Sequence, residues 1–598
     1  MPTKQNTNVI AAVAQHLEVL PGCHKLKILP EEFAKRFAHG WRMSVDFSSA
    51  THRLLLLVDA NFPYSFPRIC IEDGPELLSW PHLERHGLLC TMPSEASGDW
   101  AQPTKIVDFV LGQAARLIEH NLHSDVHADF QEEFLSYWSY ACEAQSINGV
   151  SILEPVGPAR QVHAYTGMST WYFGETKRKL TDWLRHKNVL RKKDVETEKA
   201  WLIWLDSAWV PSDYPNSPAD LLSLLRQHDR AIPTDLLSQS AIDGLVVVIG
   251  MPTPHGACFA GLRHSLPRAI QQGPNRQSGN PVLRGFRPDH VPPQLAIQRS
   301  LGASSQVRKF SIDRADHRWI HGRDQDTKEY RLKDLSVCII GVGSLGSDVA
   351  LLLAKSGVGE LVLIDGDNLE WANISRHALG ADFIGKNKAE GMKKHLFRTL
   401  PHIGVNAIGT CFTQSNSAGL DAALSSDLVL SLTGDWACTS WLNTAWLEAD
   451  KPVSLIHAWM EGHALATHSV YLPQGMAVGC IACGFHSCGT PRLSVIDFPA
   501  TPILKVPACG GSFVPYGAIA LSKAAGFVAE HVVSVLLNPK KESEHAISIC
   551  SNDQKNVENA NWTNEWIASV GDPIEGEITV RRKWTVEPTC AQCAISDT

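Results

Sequence analysis

No uninterrupted apolar run in the 598-residue chain is long enough to span a bilayer, and its opening, MPTKQNTNVIAAVAQHLEVL, lacks a basic flank followed by a long apolar stretch. No membrane partner is expected, and the expected location is cytoplasmic. An excess of positive charge is missing too. Lys and Arg number 54 against 62 Asp and Glu, a formal net charge of −8 that argues against a nucleic-acid surface. No internal repeat or low-complexity tract occurs, which excludes a repeat architecture. The fifteen cysteines are too thinly spread for a disulfide framework, so in a reducing compartment they are thiols, metal ligands or nucleophiles. What is present is an ordinary soluble composition, 44% apolar and 19% charged, on a chain too long for one hydrophobic core.

Three domains are expected. Residues 1–148 open with an amphipathic helix and the short strands WRMSVDFSS, HRLLLLVDA and RICIED, followed by helical patterns in TKIVDFVLGQAARLIEHNL and ADFQEEFLSYWSYACEA. Strands first and helices after predict an α+β domain. Residues 149–305 alternate strand-like and helix-like runs, then dissolve into QQGPNRQSGNPVLRGFRPDHVPPQ, whose Pro, Gly and Asn content marks a long loop. An α/β spacer or docking domain without chemistry is expected there. Residues 306–598 repeat strand, glycine loop, helix and strand, the pattern of a doubly wound, Rossmann-like parallel sheet.

In VCIIGVGSLGSDVALLLAKSGVGELVLIDGD, Gly341, Gly343 and Gly346 follow an apolar strand and open a helix, and Asp365 and Asp367 close the next strand. Such a loop lays phosphates on a helix N-terminus, but it serves nicotinamide dinucleotides and ATP alike. The following DGDNLEWANISRHALGADFIGKNKAE places Asn373, Arg376 and Lys388 in one segment, enough polar and cationic groups for a triphosphate. The elements Asp365-Gly-Asp367, Asn373-Ile-Ser-Arg376 and Gly385-Lys-Asn-Lys388 resemble the adenylating domain of the MoeB/ThiF/ubiquitin-activating superfamily. The resemblance implies ATP as the nucleotide, Asp365 on its ribose, Asn373, Arg376 and Lys388 on its phosphates, and Asp435 of SLTGDW near magnesium. Trp436 departs from the superfamily's usual Asp-Asn. It also implies a homodimer in which an arginine crosses to the partner, with Arg318 and Arg323 of DHRWIHGRD as candidates.

Two Cys-x-x-Cys pairs, Cys480 with Cys483 and Cys590 with Cys593, have the makeup of a closed four-thiolate cage for structural zinc. Between them, VPACGGSFVPYGAIALSKAAGFVAEHVVSVLLN resembles the superfamily's crossover loop, which implies that Cys509 is the acceptor thiol; a packing cysteine is the bland alternative. Cys550, in an apolar run, reads as inert.

NFPYSFPRICIED, PHLERHGLLCTM and DWAQPTKIVDFVLGQAARLI occur in the order and spacing of a ubiquitin-conjugating enzyme, and that resemblance puts Cys90 at the thioester position. The family's oxyanion asparagine has no counterpart. WPHLERHGLLC offers His82 or His86, either able to donate to an oxyanion or accept a proton from an amine. Together the resemblances imply a fused activating and conjugating enzyme, similar to those of bacterial CBASS anti-phage operons. It would adenylate the C-terminal carboxylate of a cGAS-like nucleotidyltransferase or ubiquitin-like protein, pass it from Cys509 to Cys90, and join it to a lysine. The rivals are a sulfur-carrier adenylyltransferase of cofactor biosynthesis, an NAD-dependent oxidoreductase, and a first domain that only docks a partner.

Overall fold

The computed structural model describes residues 4–92, 96–142, 148–167, 169–187, 189–190, 195–227, 245–265, 306–325, 330–450, 453–473, 479–500, 502–505, 512–590 and 592–593. Two compact units result, one of residues 1–150, 155–171 and 198–313, the other of residues 151–154, 172–197 and 314–598.

In the first unit, five antiparallel strands lie in chain order, His24–Lys25, His39–Asp46, Thr51–Val58, Arg68–Ile71 and Leu88–Leu89. Successive side chains of Thr51–Val58 part to opposite faces, as strand geometry requires. Leu54, Leu56 and Val58 join the core beneath the helix Pro103–His123, whose Ile106, Val110, Ala114 and Ile118 recur at helical spacing, whereas Leu55 and Leu57 meet Phe33 and Phe37.

The same unit carries most of a closed seven-stranded barrel, ordered Leu245–Thr253, Gly256–Ser265, Gln306–Arg314, Asn148–Ser151, Thr170–Gly174, Arg160–Thr166 and Glu198–Trp204. This differs from the alternating α/β arrangement expected, and the barrel runs to Arg314, beyond the expected boundary at 305. The strand Gln306–Arg314 follows the long Pro/Gly-rich stretch and pairs back onto Gly256–Ser265, so local composition conceals it. Two strand glycines make room for rings: a Cβ at Gly261 would lie 2.1 Å from the Phe310 ring, and one at Gly250 would lie 2.4 Å from the Trp204 ring. The helix Phe134–Ala141 shares the barrel's core, its Phe134 and Trp138 packed with Ile203, Leu205, Trp209 and Ile249. The Trp138 indole N–H donates to the Phe310 carbonyl at 3.0 Å.

The second unit is built on an eight-stranded sheet ordered Gly404–Ile408, Glu360–Ile364, Ser336–Ile340, Leu428–Ser431, Ser454–Met460, Ala466–Leu472, Glu544–Ile549 and Thr579–Lys583. The first five are parallel; the last three extend the sheet antiparallel, a mixed ending the expected parallel pattern did not include. Both faces are covered. Val337 and Ile339 point into the core under helices Ser344–Lys355, Lys388–Thr399 and Ala518–Leu537, and Cys338 and Ile340 into the core under Trp436–Glu448. Helix Ala518–Leu537 is long and apolar enough to cross a membrane by length and composition, which the sequence reading overlooked because Lys523 and Glu530 interrupt it. Here it is a core helix, with Leu521, Ala525, Val528, Val532 and Val535 buried.

Four histidines in this unit, His317, His377, His457 and His531, are buried, and desolvation pushes each down to about 4. They are neutral in the fold and regain an ordinary value near 6.5 on unfolding. Below that pH the unfolded chain binds more protons, so stability is complete above pH 6.5 and declines as pH falls toward 4, each group removing about 1.4 kcal/mol per pH unit. The urea midpoint of the full chain, followed by tryptophan fluorescence, is expected to drop steadily between pH 7 and pH 5; an unchanged midpoint contradicts this.

Candidate active site

The buried strand Ser336–Ile340 ends in a loop whose glycines do different work. Gly341 has φ +90° and a missing Cβ that would lie 2.8 Å from the Thr433 Cα; at Gly346 a Cβ would lie 2.0 Å from the Gly341 carbonyl oxygen. Gly343 has nothing within 4 Å and is the N-cap of helix Ser344–Lys355. The first glycine makes the turn, the third lets the helix pack on the loop, and the second leaves the helix N-terminus open to a phosphate.

Val342, between the first two of these glycines, is held at both of its backbone polar groups. Asp365 Oδ2 accepts the Val342 N–H at 2.7 Å, and Oδ1 accepts the Asp367 N–H at 2.8 Å. His377 Nε2–H donates to the Val342 carbonyl at 2.9 Å while Nδ1 accepts the Leu379 N–H at 3.1 Å, which specifies the neutral tautomer. Burial raises the Asp365 carboxyl above its ordinary value, partly offset by these N–H donors.

A cavity of about 530 Å³ opens at the C-terminal ends of the parallel strands, beside the point where the strand order reverses between Ser336–Ile340 and Leu428–Ser431. Gly341, Gly343, Asp365, Asp367, Lys388 and Asp435 line it. Lys388 Nζ pairs with Asp367 at 2.9 Å. Asp435 caps helix Trp436–Glu448, its Oδ1 accepting the N–H groups of Ala437 and Cys438 at 2.8 and 3.3 Å, and among the described residues its other oxygen takes no hydrogen bond. Cys411, Cys438 and Trp441 also line the cavity, and the sequence reading missed them. Cys438 and Trp441 lie three and six positions after Asp435 on one helix, a spacing that could have found them.

Asn373 and Arg376 lie off the cavity wall, in the turn before His377. Asn373 Oδ1 accepts the Glu370 N–H at 2.9 Å, and the Arg376 guanidinium sits 4.9 Å from the centre of the Tyr516 ring. Arg318 lies 4.6 Å over the Tyr330 ring and 4.0 Å from Asp324; Arg323 is exposed, with φ +47°, at the end of helix His317–Gly322. Cys509 lies outside the described residues. Burial pushes the Cys550 thiol up to about 11, in keeping with an inert cysteine.

The sulfurs of Cys480, Cys483, Cys590 and Cys593 all lie within 4.8 Å of one another, although 110 residues separate the pairs. Individual separations are 4.0 Å (Cys480 to Cys483), 3.7 Å (Cys480 to Cys590) and 3.3 Å (Cys483 to Cys593). Four sulfurs about 2.3 Å from a tetrahedral ion would be about 3.8 Å apart, so the set fits a metal.

In the first unit Cys90 is exposed and follows strand Leu88–Leu89. Heavy atoms still crowd its sulfur, and this desolvation raises the thiol above its ordinary value, with Glu84 and Glu133 adding to the effect and Arg68 opposing it. Of the candidate histidines, His82 belongs to this surround. Its carbonyl accepts the Cys90 N–H at 2.8 Å, and its Nδ1 lies 3.4 Å from Glu133 Oε2. The His86 ring meets Phe33 edge-on instead. Glu133, in the turn between helices His127–Glu132 and Phe134–Ala141, and Tyr137, on the second of them, were not singled out in the sequence.

Residues 24–146 match the prokaryotic E2 family B, and residues 321–565 match the ThiF family. The ATP-dependent ubiquitin transferase-like protein Cap2 of Pseudomonas aeruginosa is 25% identical over 501 residues, covering 79% of this chain and 83% of that protein. The molybdopterin-synthase adenylyltransferase of Escherichia coli is 35% identical over 135 residues, 22% of this chain and 53% of that protein. Cap2 of Enterobacter hormaechei is 31% identical over 136 residues, 21% of this chain and 23% of that protein. The chain joins an E2-like to an E1-like, ThiF-type adenylation domain, in a fusion of the CBASS type, and is an activating and conjugating enzyme.

The glycine geometry separates fold from ligand approach. Gly346→Ala is expected to unfold or displace the loop, because its methyl meets backbone that cannot yield, and to abolish ATP binding. Gly343→Ala is expected to keep the wild-type melting temperature while weakening ATP, since its methyl enters only the space at the helix N-terminus. Thermal denaturation with and without ATP reads both.

Proposed function

We propose that the second unit uses ATP to activate the C-terminal carboxylate of a partner protein. The observation that carries this is the single cavity in which Gly343, Asp365, Asp367, Lys388 and Asp435 meet at the strand ends. One carboxylate oxygen attacks the α-phosphorus, pyrophosphate leaves, and an acyl adenylate remains. Asp365 holds the ribose, and Lys388 faces the phosphates with the N-terminus of helix Ser344–Lys355. Asn373 and Arg376 serve the phosphates from the neighbouring turn. Asp435 would hold Mg2+, which offsets phosphate charge.

Cys509 then attacks the adenylate carbonyl, AMP leaves, and the acyl group passes by thiol exchange to Cys90 and finally to a lysine amine of a target. His82 donates to the oxyanion at Cys90 or takes the amine's proton. The match of residues 24–146 to an E2 family supports this later half, for which a sulfur-carrier adenylyltransferase has no use. The partner is a cGAS-like nucleotidyltransferase or a ubiquitin-like protein, and the setting is anti-phage defence, a reading supported by the two Cap2 relatives; the location is the cytoplasm. The enzyme works as a homodimer, with Arg318 or Arg323 crossing to the second copy. The four-cysteine cage binds Zn2+ and is structural, because a closed sulfur shell leaves no open coordination position.

Incubation with ATP, magnesium and proteins encoded beside this one, followed by non-reducing gels, tests the sequence of transfers. Wild type is expected to show reducible adducts at two thiols, Cys90→Ala only the first, and Cys509→Ala neither. Absence of ATP-dependent pyrophosphate exchange with every such protein refutes the scheme at its first step. For the cage, metal analysis of the purified chain is expected to find one zinc, lost in Cys480→Ser together with several degrees of melting temperature.

A further inference from the structure

We propose that a small cavity beside the four-cysteine cage binds inorganic phosphate in its monohydrogen form, at a site separate from the nucleotide cavity. It measures about 150 Å³ against about 530 Å³ for the nucleotide cavity, and the two share no lining residue. Trp459, Cys483, Arg492, His545, Arg582 and Trp584 are among the groups that line it.

Its inner wall ends a run of buried polar side chains for which adenylation and thiol transfer have no use. Glu461 Oε1 accepts the Val495 N–H at 2.7 Å, Oε2 accepts the Ile496 N–H at 2.8 Å, and Oε1 also accepts His468 Nε2–H at 2.8 Å. His468 Nδ1 lies 3.0 Å from His545 Nε2. The two imidazoles are 0% and 3% exposed. Trp459 stacks on the His468 ring at 4.5 Å, and the Trp584 ring meets His545 edge-on at 5.2 Å. With one proton on each ring the run has a single direction. His468 spends its N–H on Glu461, its Nδ1 accepts from His545 Nε2–H, and His545 is left with an unprotonated Nδ1. Among the described residues that nitrogen takes no hydrogen bond. Desolvation, with His468 and Arg582 adding to it, pushes this imidazole down to about 2, so it stays a neutral acceptor. A buried acceptor without a donor is costly, and a ligand that brings an O–H removes the cost.

The outer wall makes the opposite demand. Arg582 stands directly across from His545 in the pairing of Glu544–Ile549 with Thr579–Lys583, so the two side chains leave the sheet on one face. Arg492 follows the first cysteine pair, its backbone N–H bonded to the Gly484 carbonyl at 2.8 Å. Both arginines are exposed, and among the described residues neither guanidinium has an ion pair or a hydrogen bond. Lys583 is 3.9 Å from Glu542, Arg581 pairs with Glu544, and Glu587, the acidic side chain on the wall, accepts the Thr589 N–H and O–H.

An occupant must therefore accept from two guanidiniums on one side and donate to an imidazole on the other. Monohydrogen phosphate does both. Sulfate has the same shape and charge but no proton to give, and a phosphomonoester above its second pKa of about 6 lacks one as well. A cage of four thiolates and zinc would carry a net charge of about −2. Were the guanidiniums there only to offset it, they would bond its sulfurs, and among the described residues neither does.

The test is calorimetric titration of the full chain at pH 8, with the nucleotide cavity filled by Mg2+ and a non-hydrolysable ATP analogue. Inorganic phosphate is expected to saturate one site, with sulfate and O-phosphoserine bound at least about 10-fold more weakly because each leaves the imidazole unpaired. Arg582→Gln and Arg492→Gln are each expected to weaken phosphate about 10-fold or more, with the melting temperature of the phosphate-free chain unchanged. Absence of saturable phosphate binding overturns the proposal, as does sulfate binding as tightly as phosphate, or wild-type phosphate affinity in both variants. Loss of the cage metal from either variant with phosphate bound as in wild type assigns the guanidiniums to the cage and overturns it too.

Discussion

The nucleotide site depends on how the backbone of one residue is held. Val342 lies between the glycine that turns the chain and the glycine that starts the helix, and both of its polar groups are taken, the N–H by Asp365 and the carbonyl by His377. A loop of glycines is conformationally loose by itself, and its phosphate-facing amides have value only if they point one way before the ligand arrives. The two side chains supply that direction. Both pay in desolvation: burial pushes the carboxyl up and the imidazole down, and each keeps its bonding form because the backbone partner is close and correctly matched.

The legible part of this site is what lies close together in the chain. Gly341, Gly343, Gly346 and Asp365 form a local strand–loop–helix–strand pattern, and the structure gathers all four around one turn. His377 was hidden because nothing nearby in sequence says that its ring turns back 35 positions to a carbonyl. Cys411 was hidden for a similar reason: it reaches the cavity from the loop after strand Gly404–Ile408, whose neighbourhood is set by sheet order. Asn373 and Arg376, close to Asp365 in the chain, lie in the turn beside the cavity and not on its wall, with the guanidinium at the Tyr516 ring. The four-cysteine cage was legible in spite of its long separation because Cys-x-x-Cys fixes half of the geometry locally.

The fold shows the same division. The parallel strands were evident from short apolar runs bounded by glycine, whereas the middle region's barrel was not. Its strands pair across long separations, Gly256–Ser265 with Gln306–Arg314 for instance, and one seam, Glu198–Trp204 beside Leu245–Thr253, is parallel. No local period distinguishes a closed barrel from alternating strands and helices when the closing pair is so remote.

That barrel has a bearing on where the conjugating module ends. The short helix that begins at Phe134 directly follows Glu133 and bears Tyr137 on one side, while its Phe134 and Trp138 are sunk among barrel side chains. A cut near residue 148, natural if the middle region were an inert tether, would strip those aromatics of their seat and let the acid and phenol drift from the thiol. The smallest transplantable conjugating piece therefore includes the cylinder behind it, and the supposed spacer is the mount that keeps the thioester's surroundings in register.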